Sequence, residues 1–204
     1  MKNFLKVSLL ALTLVFTSTA SAQLLPVSIG VKGGLNMSNI STDGYDGKKG
    51  FNAGLTVDVN LPANFGIFSG LEVNTKGAQI NDTDHKINAM YLQLPVHVGY
   101  RLKLLPGLRA QFGFGPYFAQ GIGGKTKFGD DKYDTFGDEM HQLKKTDWGL
   151  GVHVGVVVLG RIQVRAGYDF GLKNLARSYE EEGIKVEPKL KNRNVYVSAG
   201  LIIL

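Results

Sequence analysis

The chain has 204 residues, 27 glycines, no cysteine and a formal net charge of +6. Without cysteine it can build neither a disulfide framework nor a thiolate metal site. Lys2 and Lys6 belong to a leader-like start, so the remainder carries +4 (6 − 2), too mild and too scattered a charge to point to nucleic acid.

The start reads MKNFLKVSLLALTLVFTSTASAQ: a basic beginning, an apolar run from Val7 to Phe16, and the small residues Ala20-Ser21-Ala22 before Gln23. This is the grammar of a secretory signal peptide, and the apolar run falls short of the roughly twenty residues a spanning helix needs. The expected division is a signal peptide over 1–22 and one domain over 23–204.

From Val27 onward the dominant period is two. Val27, Ile29, Val31, Leu35 and Met37 share one face, opposite Ser28, Gly30, Lys32, Gly34 and Asn36. After a polar loop, Ser38 to Gly50, the pattern returns. Phe51, Ala53, Leu55, Val57 and Val59 alternate with Asn52, Gly54, Thr56, Asp58 and Asn60. A short turn containing Pro62 leads to Ile67, Ser69, Leu71, Val73 and Thr75, set against Phe68, Gly70, Glu72, Asn74 and Lys76. Phe68 is the one large apolar residue on the polar face.

A second polar loop, Gly77 to Asn88, precedes the clearest segment of the chain, Tyr91 to Phe118. Leu92, Leu94, Val96, Val98, Tyr100 and Leu102 oppose Tyr91, Gln93, Pro95, His97, Gly99 and Arg101. Beyond Pro106-Gly107 the series Leu108, Ala110, Phe112, Phe114 and Phe118 opposes Arg109, Gln111, Gly113, Gly115 and Tyr117. Two alternating runs joined by a tight turn predict a long β-hairpin. The longest loop, Gln120 to Lys145, follows. Trp148 to Val158 alternates with a polar face holding His153. A turn at Leu159-Gly160-Arg161 leads to Ile162 through Leu172, whose polar face holds Arg165 and Asp169. A last loop, Lys173 to Arg193, precedes Val195 to Ile203.

Eight strands result, joined alternately by long polar loops and short turns. The predicted fold is all-β, an eight-stranded antiparallel up-and-down transmembrane β-barrel with both chain ends on the periplasmic side. A soluble eight-stranded barrel of lipocalin type would turn its apolar face inward. Thirteen glycines on the polar strand faces decide against it, since on a solvent face they would weaken strands for no gain. In a narrow lumen they make room for long neighbours. The expected interior polar network comprises Lys32, Asp58, Glu72, His97, Arg101, Arg109, His153, Arg165 and Asp169. Aromatic residues fall into two sets, Phe51, Phe118, Trp148 and Phe170 near the long loops and Phe65 and Tyr100 near the short turns, as two interfacial girdles would.

The segments YLQLPVHVGYRL (Tyr91 to Leu102), VRAGYDFGLKNL (Val164 to Leu175) and KNRNVYVSAGLIIL (Lys191 to Leu204) resemble the Bacteroidota outer-membrane β-barrel family that includes the PorT-like proteins. GVKGGLNMSNI (Gly30 to Ile40) and GFNAGLTVDV (Gly50 to Val59) fit the same pattern. The resemblance implies a small barrel of the OmpX/OmpA type in a Gram-negative outer membrane, with some relatives tied to type IX protein secretion. The chain departs from such barrels in finishing on Ile203-Leu204, where an aromatic residue is common.

Chemistry beyond this is weakly signalled. His97 and His153 occupy inward positions two strands apart, yet no carboxylate stands at a metal-ligand spacing from them. His85, His141 and Ser178 lie in loops without a catalytic constellation, and Asp130 to Asp134 lacks the oxygen spacing of a calcium loop. The expectation is therefore no catalysis, no cofactor and no metal, with a lipid-modifying barrel enzyme as the less favoured alternative. Lipid is the expected surrounding, and envelope or secretion proteins the expected partners, with no nucleic acid and no identified small-molecule ligand.

Overall fold

The computed structural model describes residues 27–40, 45–80, 86–128, 131–136, 143–175, 179–181, 184–186 and 190–204. The leader therefore lies outside the described residues, as do His85, His141 and Ser178. Eight strands form the wall: β1 (Val27–Ile40), β2 (Tyr45–Asn60), β3 (Phe65–Ile80), β4 (Lys86–Leu105), β5 (Leu108–Gly123), β8 (Thr146–Val158), β9 (Ile162–Gly171) and β12 (Asn192–Ile202). Four short strands decorate the long connections, β6 (Lys125–Phe128) with β7 (Asp131–Asp134), and β10 (Tyr179–Glu181) with β11 (Ile184–Val186).

Neighbouring wall strands pair antiparallel in the order β3-β2-β1-β12-β9-β8-β5-β4, and β3 then pairs with β4 to close the cylinder. The seam between the chain ends is continuous. Leu35 faces Val197 across it, and Ile29 donates to the Leu204 carbonyl at 2.7 Å. Closure leaves the wall without an edge strand, which a hydrocarbon surrounding demands because it offers backbone groups no other partner.

The alternation sorts the faces as the sequence predicts, with the apolar side outward. Leu35, Leu55, Val98, Phe114 and Val154 are exposed, whereas Asn52, Asp58, Glu72, His97, Gln111, His153 and Asp169 are buried. Phe118 pairs with Trp148 and Leu150 with Phe170 at the long-loop end. Phe65 meets Tyr100 edge to face at 5.3 Å near the short turns.

The strands outrun the loops drawn from sequence. β1 continues to Ile40 and β2 begins at Tyr45, within the segment expected to be loop from Ser38 to Gly50. Likewise β3 reaches Ile80 and β4 starts at Lys86, and the Gln120 to Lys145 segment contains β6 and β7. Polarity was the loop signal, but above the lipid zone the outward face carries polar residues such as Lys86 and Asn88 while the inward Ser38, Ile87 and Thr126 stay buried, so the apolar alternation fades while the ladder persists. The β2–β3 ladder breaks between Gly47 and Asn52. Side chains of β1 repair it from inside: Asn36 donates to the Thr75 carbonyl at 2.7 Å, and Ser38 donates to Gly77 O and accepts from Gly77 N.

Leu55, half exposed at 53 %, lies on β2 midway between Phe51 and Val59 on the outward face. Leu55→Arg places a cation in hydrocarbon and should cost about 2–4 kcal/mol in denaturant unfolding from lipid vesicles. Indifference to this substitution would show that the face meets water.

Candidate functional site

The buried polar groups form a column along the barrel axis. At the long-loop end, the Asp147 carboxylate accepts from Tyr117 Oη at 3.2 Å and Asn192 Nδ2 at 2.9 Å, and lies 3.7 Å from Lys76 Nζ. The Lys76 ammonium sits over the rings of Tyr117 and Tyr91, with centroids at 4.7 and 5.5 Å. Aromatic faces and a carboxylate are favourable neighbours for a buried ammonium group.

One layer deeper, Lys32 pairs with Glu72, which also accepts from Asn74 Nδ2 at 2.9 Å. Asp169, expected to pair with a cation, instead accepts amide donors from Gln93 and Asn194, each at 3.2 Å. Asn194 is in turn held by Asn36.

At mid-barrel the two histidines meet. Nδ1 of His97 and Nδ1 of His153 are 2.9 Å apart, with the rings stacked at a 24° interplanar angle. A contact of that length needs one nitrogen to donate and the other to accept, so the pair shares a single proton on that side. Glycines make the approach possible. A Cβ at Gly113 would lie 2.5 Å from His153 Cε1, and one at Gly151 would lie 2.7 Å from His97 Nε2.

Phe68, the apolar exception on the polar face, is 1 % exposed and serves as a platform. Its ring meets His153 edge to face, and the Arg101 and Arg165 guanidinium carbons lie 4.6 and 5.2 Å from its centroid. Both arginines converge on Asp58, Arg165 in direct contact and Arg101 at 3.6 Å, with Gln163 Nε2 donating to the same carboxylate at 3.3 Å. Two guanidinium groups share one acid here, with Phe68 offering both an aromatic face and Asn60 Oδ1 accepting from Arg101 as well. Arg109 lies apart from this cluster, beside Gly160 at the short-turn end.

Four cations, Lys32, Lys76, Arg101 and Arg165, thus stand with four carboxylates, Asp58, Glu72, Asp147 and Asp169, and the column is neutral by this count. Lys76 and Asp147 belong to it although they were absent from the expected network. Lys76 already stood on the polar face of β3, and extending the parity of β8 by one step toward the loop would have found Asp147. Beside the histidines the free space is about 10 Å³, roughly one water's worth. Among the described residues no group of three or more His, Asp or Glu is arranged to hold a metal ion.

A family model described as outer membrane protein beta-barrel domain matches residues 19–177. No curated protein sequence matches the chain. Among solved structures, Neisserial surface protein A is similar at 12 % identity, covering 87 % of this chain and 99 % of that one, with a TM-score of 0.48. Ail, the attachment invasion locus protein of Yersinia pestis, is similar at 13 % identity over 86 % and 98 %, with a TM-score of 0.44. OprG from Pseudomonas aeruginosa is similar at 14 % identity over 86 % and 92 %, also with a TM-score of 0.44.

Asp58→Ala removes the one carboxylate that Arg101 and Arg165 share and leaves both cations buried. Stability in denaturant unfolding should fall by about 3–5 kcal/mol, whereas Asp131→Ala on the exposed β7 should change little.

Proposed function

The chain belongs to the outer membrane protein β-barrel domain family, and from that premise we infer that it works as a plugged, non-catalytic barrel whose extracellular loops make its contacts. Its place is the outer membrane. The observation that carries the reading is the lumen. Space for about one water at mid-barrel, between charge pairs above and below, leaves no path for a solute. An eight-stranded barrel has only enough interior for side chains, and this one uses it.

With the interior occupied, contact surface is left at the long-loop end. There the β6–β7 hairpin pairs onto the tip of β4, and Asp131, Lys132, Tyr133 and Asp134 are all exposed. Residues 1–22 act as the export leader in this reading, and the partner is a component of the cell surface or envelope. The non-catalytic reading is supported by the two described histidines, His97 and His153, which bond to each other rather than to a hydroxyl nucleophile.

A finer reading rests on the resemblance of Tyr91 to Leu102 and Lys191 to Leu204 to PorT-like barrels of Bacteroidota: an accessory part in type IX secretion. Recovery of secretion subunits with the tagged barrel from outer membranes tests it, and their absence sets it aside.

In planar bilayers the purified barrel should give no stable, large conductance steps; such steps would overturn the plugged reading. Protease added to intact cells should cut within residues 120–145 and spare the turn at Pro106-Gly107. The reverse pattern would invert the orientation.

A further inference from the structure

On its outward face, the long-loop end of the β2–β3–β4 wall gathers lysines that strand register sets against one another. Lys86 on β4 stands directly opposite Lys127 on β6, and Lys127 directly opposite Lys132 on β7. Like charges in directly opposed cross-strand positions destabilise a sheet. The intervening residues show which face this is: Ile87 and Thr126, paired with each other, are buried inward, so the lysines beside them project outward. Lys48 joins the row. Its ammonium reaches the Asn88 side chain on the same face. Among acids on the described part of this face, Asp134 is opposite Lys125, at the end of the hairpin away from Lys132.

Directly below the row the wall is notched. The break in the β2–β3 ladder between Gly47 and Asn52 lifts Lys48 to Phe51 out of register, and Thr75 Oγ1 takes over their backbone bonds by accepting from Phe51 N at 2.7 Å. The resulting cavity, about 280 Å³, has Lys48 and Lys49 at its upper rim and Phe51 and Met90 among its walls. Its apolar side runs on into the lipid-facing stripe of Met90, Leu92 and Leu94. Four residues separate Met90 from Lys86, roughly 13 Å of extended strand. The ammonium groups therefore stand on the loop side of that apolar stripe.

We propose that this notch and lysine row form a binding site for a phosphorylated glycolipid of the outer leaflet. An acyl chain lies against Phe51 and Met90, and the phosphate is held by Lys48, Lys86 and Lys127. The cationic row supplies the charge complementarity, and the apolar floor selects an amphiphile over a soluble anion. A lipid fits better than a macromolecule arriving over the barrel mouth because the row faces sideways, in line with the lipid stripe.

The test is native mass spectrometry of the folded protein isolated in detergent, titrated with bis-phosphorylated lipid A. The wild type should retain the lipid. The triple variant Lys48→Gln, Lys86→Gln, Lys127→Gln should lose retention on the order of tenfold or more while keeping heat-modifiable gel migration as the sign of an intact barrel. Lys103→Gln at the opposite end should match wild type, and dephosphorylated lipid A should bind as weakly to wild type as the phosphorylated form does to the triple variant. Equal retention by the triple variant overturns the site. Binding of heparin but not of lipid A, lost in the same variant, overturns it in favour of a soluble polyanion. Displacement by inorganic phosphate alone would show a simple anion site and also overturn it. If the triple variant does not fold, wild-type retention is titrated with salt: a fall with ionic strength upholds lysine-held phosphate, and salt-independent retention overturns it.

Discussion

Hydrocarbon offers a peptide group nothing to bond with, and the architecture follows from that. Each wall strand needs a partner on both sides, so the sheet must close, and β1 must find β12. Eight strands close into a cylinder too narrow to stay open. The inward residues thus face one another at contact distance in a space shut off from solvent, and there every charge needs a counter-charge or an aromatic face. The neutral column is a consequence of closure at this strand number. So is the outward display of apolar side chains, which in a soluble protein would be a liability.

Glycine and ring size are coupled within this lumen. His153 rests where Gly113 has no side chain, and His97 where Gly151 has none. Tyr196 crosses above Gly167 in the same way. Bulky polar groups on one strand are accommodated by bare backbone on the next strand or the next but one, so the interior is filled without widening the wall. Phe68 extends this logic to charge. A single ring offers both guanidinium groups an attractive face while both reach the same Asp58 oxygen.

Much of this was legible in the chain. Period-two alternation from Val27 to Ile203 set strand number and face, and eight of the nine charged and histidine residues singled out stand in the buried column. Arg109 also points inward, but its level at the short-turn end takes it away from Asp58, and depth along the axis is not encoded in parity. Other features depend on register between strands distant in sequence. Asp169 prefers amides because Gln93 and Asn194 arrive at its level before any lysine does. The break in the β2–β3 ladder has no sequence signature of its own, since Asn36 and Ser38, which satisfy the groups it frees, belong to β1.

The seam between β1 and β12 joins positions close to the two ends of the described chain: Ile29 and Leu204 are 175 positions apart (204 − 29) and share backbone hydrogen bonds. Forming that contact requires closing the largest loop in the molecule, and its entropy cost is met before the ladder repays it. Seven of the eight wall pairings join strands that follow one another around the chain, and they can assemble as a growing curved sheet. The eighth converts a sheet with two raw edges into a tube with none. Insertion is thus governed by a single late event at the two ends of the polypeptide, and whatever delays their meeting prolongs an aggregation-prone open form.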